Sequence, residues 1–140
     1  MNLWVLDASV LLASEDSDDH GHRDARRLLG SRDPLATLDL AFYEVTNVAV
    51  RVWRDPSAAR RLRDRVAAVA DDGGIVRASA ALLAAAAALA DEHGISVYDA
   101  AYVAAARAAG GQLVSCDVPD LVSRGLARLP GDVPSVQPDS

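Results

Sequence analysis

Four acidic residues interrupt segments that are otherwise apolar. Asp7 ends the run Leu3-Trp4-Val5-Leu6, and Asp117 ends the run Leu113-Val114-Ser115-Cys116. Glu44 falls in the first turns of a helical stretch. Asp99 opens another stretch that is nearly free of charge, Asp99-Ala100-Ala101-Tyr102-Val103-Ala104. Short unbroken apolar runs read as buried parallel strands, and open α/β sheets bind ligands at the carboxyl ends of such strands. Two strands therefore deliver a carboxylate to one edge, and the adjoining helices begin at that edge. Gathered carboxylates repel one another unless a cation lies between them. A donor set of oxygens, with no cluster of Cys or His, favours a hard ion such as Mg²⁺ or Mn²⁺. Such an ion activates water and neutralises charge on a phosphate, which is the chemistry of phosphodiester hydrolysis.

Taken singly, each acid has a second reading. Asp7 can cap the helix that follows it. Asp99 can be a first-turn acid favoured by the helix dipole. Glu44 can be an exposed helix residue, and Asp117 a turn residue before Pro119. The joint placement of all four separates the readings, because independent caps have no reason to share an edge. Asp120 reads as the cap of a last short helix, or as a contact to a metal or its water. Ser9 and Ser115 stand beside the acids as hydrogen-bond partners; no histidine is spaced to serve them as a base. His20 and His22 sit in a polar loop, and Cys116 reads as a buried thiol without a cation to activate it.

The positioning elements alternate. Strands are expected at 3–6, 35–38, 75–76 and 112–116, with an edge strand near 133–136. Helices are expected at 8–14, 23–30, 40–54, 57–72, 78–93 and 98–109, with a short one at 120–126. Asp39 is expected to cap the helix 40–54. Gly30, Gly94 and Gly110 are the expected helix stops. Short apolar strands alternating with helices indicate an α/β fold, a parallel sheet covered on both faces. On the helix 40–54, Glu44, Asn47, Arg51 and Arg54 share one stripe, so carboxylate and guanidinium point the same way. Residues 51–65 hold six arginines against Asp55 and Asp64. The stretch is either a solvated face or a stripe that touches phosphates, which positions a nucleic acid without reading its sequence.

Composition narrows the classes further. The 140 residues include 14 Arg, no Lys, 17 Asp and 3 Glu, for a net charge of −6. Without lysine there is no P-loop phosphate site, no Schiff base and no receiver-domain chemistry; a receiver would also need an acidic pair where Asp7 is followed by Ala8. A single cysteine excludes a disulfide framework. No apolar run is long enough to span a membrane. The opening residues lack a secretory signal, so a cytoplasmic location is expected.

The four segments Val5-Leu6-Asp7-Ala8-Ser9, Glu44-Val45-Thr46-Asn47, Tyr98-Asp99-Ala100-Ala101-Tyr102 and Val114-Ser115-Cys116-Asp117, in this order and spacing, resemble the PIN-domain ribonucleases. Within them the chain is similar to the VapC-type toxins of bacterial toxin–antitoxin pairs. The resemblance implies one PIN domain over residues 1–140, a three-layer α/β/α fold with a short, mainly parallel sheet. It implies a Mg²⁺- or Mn²⁺-dependent endoribonuclease acting on transfer or ribosomal RNA. The family's acidic set falls on Asp7, Glu44, Asp99 and Asp117. The metal would be held chiefly by Asp7 and Asp99, with Asp117 and Glu44 direct or through water. A homodimer is implied, as is a VapB-like antitoxin whose terminal segment occupies the site. Asn47, Arg51 and Arg54 are the candidate RNA contacts. Val118-Pro119-Asp120 departs from the basic residues many relatives carry there, which leaves the role of Asp120 open. A different class, a PIN-like module that binds RNA or a partner without cutting, would be favoured by a missing acid, and none of the four is missing.

Overall fold

A computed structural model of the chain describes residues 2–134 and 136–138. Its centre is a parallel four-stranded sheet in the order β3-β2-β1-β4. The strands are β1 (Trp4–Leu6), β2 (Leu35–Leu38), β3 (Ile75–Val76) and β4 (Gln112–Val114). Trp4, Val5 and Leu6 are completely buried because β1 is paired on both sides, with Leu6 opposite Thr37 of β2 and Val114 of β4. A strand covered on both faces has no place for alternation, which explains its continuous apolar run. Two helix groups flank the sheet. One contains α1 (Ala8–Glu15), α2 (His22–Leu29), α3 (Leu40–Asn47) and α4 (Pro56–Asp71); the other contains α5 (Ala80–His93) and α6 (Val97–Ala109). On the sheet, α1 packs against β1 and α4 against β2, while α6 runs along β1, β2 and β4 with α5 beside it. No single helix among the described residues is long and apolar enough to cross a membrane.

The helix ends follow local chemistry. Asp55 accepts from the Ala58 N–H, Ser79 from Leu82 and Ser96 from Asp99, each satisfying a first-turn donor. Gly94 (φ 66°) and Gly110 (φ 71°) close α5 and α6 in the left-handed conformation that a glycine adopts without a Cβ penalty.

Several expectations change. The helix expected over 40–54 is α-helical only to Asn47. Val48–Val52 form a wider π-helical turn, and Arg54 takes φ 52°, so the helix ends and its stripe loses register there. Asp39 does not cap α3; its own backbone is helical, and its Oδ2 accepts from the Ala78 N–H instead. The last short helix is a π-helical turn at Val118–Val122. Asp117 rather than Asp120 opens it, because Asp117 Oδ1 accepts from the Asp120 N–H. Arg128, not the 133–136 stretch, adds the further edge pairing: its N–H donates to Leu113 O and its carbonyl accepts from Ser115 N–H. Val133, Pro134 and Val136 form no strand, and Ser135 lies outside the described residues.

One buried polar bond ties the far end of the sheet. The Trp4 indole Nε1 donates to Asp33 Oδ2 at 2.7 Å, and Asp33 Oδ1 accepts from the Val136 N–H. Asp33→Ala strands a buried indole N–H and is expected to cost about 1–3 kcal/mol. A urea titration reads this as a lower midpoint at unchanged slope; an unshifted midpoint would show that the bond adds no net stability.

Candidate active site

Asp7 follows β1 directly and caps α1. Its Oδ1 accepts from the Val10 N–H at 3.3 Å and from the Ser9 hydroxyl at 2.5 Å, so the capping and site readings describe one residue in two roles. Ser9 in turn accepts from the Cys116 N–H at 2.9 Å, which binds the end of β1 to the segment after β4. The Ser115 hydroxyl lies 3.4 Å from that of Ser9 and accepts from the Asp117 N–H at 3.0 Å. Two small hydroxyls thus fix the backbone around both strand-end acids. Asp99 stands in the first turn of α6. One turn later on the same helix, the buried Tyr102 donates its hydroxyl to Glu44 Oε1 at 2.7 Å.

Carboxylate oxygens of Asp99, Asp117 and Asp120 come within 4.8 Å of one another. Asp7 and Glu44 are close enough to Asp99 for its charge to act on both. The other three acids singled out in the sequence therefore gather about Asp99, and Asp120 joins them. Among the described residues none of the five forms an ion pair. Three of them, Asp7, Glu44 and Asp99, resist ionisation, chiefly because they are buried. Asp7 is pushed up to about 6, chiefly by burial and slightly by Asp99, with the hydroxyls of Ser115 and Ser9 and the Val10 N–H pulling back. Burial also raises Glu44, with the Tyr102 hydroxyl opposing and Asp99 adding. Asp99 is raised by burial and then by the charges of Asp117 and Asp120. Burial, and Glu44 beside it, hold the Tyr102 phenol protonated.

The donor set fits a hard divalent cation. It is all oxygen, it is anionic, and three of its members are within reach of one ion. Asp99, Asp117 and Asp120 would hold the ion, with Asp7 next to them. Other sequence candidates fall outside the group. His22 Nδ1 bonds the Ala13 carbonyl at 2.8 Å, a structural contact. The Cys116 thiol is held up at about 11 by burial and by Asp7, which makes it a poor nucleophile at neutral pH. Of the basic stretch, Arg61 and Arg65 are both bound by Glu15. Asn47 and Arg51 border a shallow hollow beside α3, which Arg54 does not line. Tyr102 is the member that the sequence did not single out; its spacing of three from Asp99 on one helix was the available signal.

A parallel sheet with a carboxylate group at its carboxyl edge defines an α/β protein with a candidate metal centre. Residues 4–118 match the PIN domain family, and the chain belongs to it. In fold it is similar to a toxin–antitoxin complex from Klebsiella pneumoniae, at 18% identity and TM-score 0.68, covering 92% of this chain and 98% of that one. It is similar also to VapC20 from Mycobacterium tuberculosis, a sarcin–ricin loop cleaving toxin, at 22% identity and TM-score 0.66, covering 87% and 95%. FitAcB from Neisseria gonorrhoeae matches at 17% identity and TM-score 0.66, covering 93% and 99%. No curated protein matches the chain in sequence.

The raised carboxyls set a pH dependence. Folded Asp7 keeps its proton to about pH 6, whereas the unfolded residue releases it near its ordinary 3.8. The folded state thus binds more protons across this window, and stability falls as pH rises through it. From Asp7 alone, the metal-free chain is expected to lose on the order of 3 kcal/mol by pH 7. Glu44 and Asp99 act in the same direction, while Glu15, lowered by its arginines, acts only below this range. Thermal melts in EDTA should fall from pH 4.5 to pH 7, and Asp7→Asn should flatten that slope. Equal slopes for both chains would contradict the burial of an ionisable Asp7.

Proposed function

We propose that this chain is the toxin of a toxin–antitoxin pair, a cytoplasmic endoribonuclease that depends on Mg²⁺ or Mn²⁺. The observation that carries the reading is the group Asp99, Asp117 and Asp120, with Asp7 and Glu44 within the influence of Asp99 and no cationic side chain among the described residues paired to any of them. A PIN domain with this donor set calls for a cation as its missing partner. The whole chain, 1–140, acts as one such domain. When bound, the divalent ion supplies an activated water and charge neutralisation at the phosphodiester.

The chain's own residues do the rest. Asp99, Asp117 and Asp120 would hold the ion, with Asp7 beside them. Ser9 and Ser115 hold the two strand ends at a fixed separation. Glu44, oriented by the Tyr102 hydroxyl, faces Asp99 and serves to orient the attacking water or to accept its proton. Its elevated affinity for protons suits that role. Support for the substrate comes from the similar folds: VapC20 cleaves the sarcin–ricin loop, and transfer or ribosomal RNA is the corresponding substrate here. A VapB-like antitoxin is supported by the similar structures, several of them toxin–antitoxin complexes, and a homodimer is part of the same proposal.

Purified chain incubated with total RNA should give discrete fragments with Mg²⁺ or Mn²⁺ and none with EDTA. Asp99→Asn should abolish them without unfolding. Uncut RNA in every lane, with RNA still bound and no antitoxin co-purified, would instead favour a binding module. Tyr102→Phe removes the hydroxyl that stabilises ionised Glu44. The acidic limb of its cleavage pH profile is expected to move to higher pH; an unmoved limb would detach Glu44 from proton transfer.

A further inference from the structure

We propose that the hollow beside Tyr43 is a nucleotide subsite, taking one base of a single-stranded RNA on the tyrosine ring and its flanking phosphates on Arg51 and Arg63. The inference rests on the ribonuclease reading and gives it a binding surface outside the acidic group. The hollow lies where α3, the π-helical turn and α4 meet, with a volume of about 510 Å³. That falls within the roughly 300–1,000 Å³ of small-ligand sites. Phe42, Tyr43 and Val50 supply its apolar lining. Tyr43 is 78% exposed, the largest value for any big apolar side chain among the described residues.

The charges at its border choose the occupant. No carboxylate lines the hollow, and Arg51 and Arg63 form no ion pair among the described residues. Glu15 separates these two from Arg61 and Arg65, whose guanidiniums it holds. An apolar peptide would cover the ring but desolvate two guanidiniums without an anion, a costly outcome. Single-stranded nucleic acid satisfies both halves at once. Its bases stack on aromatic rings with little regard to sequence, and its phosphates pair with arginine. Asn47 adds an amide at the border, suited to a base edge. Position in the chain supports the path. Tyr43 directly precedes Glu44, and consecutive side chains on a helix project about 100° apart. A strand leaving the acidic group around α3 therefore meets the ring on the next face.

Binding is to be read by fluorescence anisotropy with Mg²⁺ in the non-cutting Asp99→Asn chain, using a labelled oligoadenylate and an abasic strand of equal length. Tyr43→Ala should weaken oligoadenylate binding roughly 5- to 100-fold and leave the abasic strand nearly unchanged. Tyr43→Phe, which keeps the ring, should bind like the parent. Arg51→Ala and Arg63→Ala should weaken both strands, each lowering the salt slope by about 0.7. Arg27→Ala, on the exposed side of α2, controls for loss of a surface charge. Parent-like affinity in Tyr43→Ala and Arg63→Ala overturns the inference. So does a change of oligomeric size in Tyr43→Ala at unchanged RNA affinity, which would make the hollow a protein-docking surface. Metal-dependent cleavage by the unsubstituted chain separates the two levels. Cutting with parent-like binding in the variants removes the subsite alone, whereas a chain that neither cuts nor binds RNA removes the ribonuclease reading with it.

Discussion

The cost of burying charge, with repulsion among neighbouring carboxylates added to it, is what the rest of the molecule must contain. Asp7, Glu44, Asp117 and Asp120 gather about Asp99, and among the described residues no cationic side chain pairs with them. Left to themselves, such groups would spread apart or take up protons. Here they are held by elements whose stability comes from elsewhere: a strand with no exposed side chain, helices packed on both sides, and caps that use the same acids. At Asp7, Glu44 and Asp99 the cost appears as raised proton affinity, chiefly from burial and further from neighbouring charge. A divalent ion held there would relieve it, which would link metal affinity to folding stability through the same residues.

The holding devices are small. Ser9 contacts Asp7 and the Cys116 amide, while Ser115 contacts the Asp117 amide. A hydroxyl on a short stem has few rotamers to lose, so it fixes two strand ends at little entropic cost. Tyr102 works at longer reach, from α6 across to Glu44 on α3. Because that phenol stays protonated, it donates at any physiological pH. The serines thus fix the two strand-end acids, and the tyrosine holds Glu44.

Much of this was legible in the sequence, and the reasons can be stated residue by residue. A fully buried strand cannot alternate, so Leu3-Trp4-Val5-Leu6 announced itself, and the acid following it marked the carboxyl edge. Gly94 and Gly110 were readable stops because no other residue takes their conformation as cheaply. The continuation of α3 was not legible. Nothing in Val48-Ala49-Val50-Arg51-Val52 distinguishes an α-helical turn from a π-helical one, since packing against α4 decides it. The expected stripe to Arg54 failed for that reason. Asp120 was ambiguous because capping depends on which of two nearby acids the loop turns inward, and Asp117 took the role. Tyr102 was quoted in a motif yet not given a task, because its partner lies 58 positions away.

The pairing of β1 with β4 has a consequence during synthesis. Trp4 faces Gln112, so the first strand made must wait for one of the last. The acids leave the ribosome in the order Asp7, Glu44, Asp99, Asp117, Asp120, at about 5–20 residues per second. Until the final segment emerges, β1 lacks one neighbour, Ser9 lacks the Cys116 amide, and the carboxylate group lacks two of its members. A nascent or prematurely ended chain therefore lacks the assembled carboxylate group, which is completed only when the segment after β4 has joined the sheet.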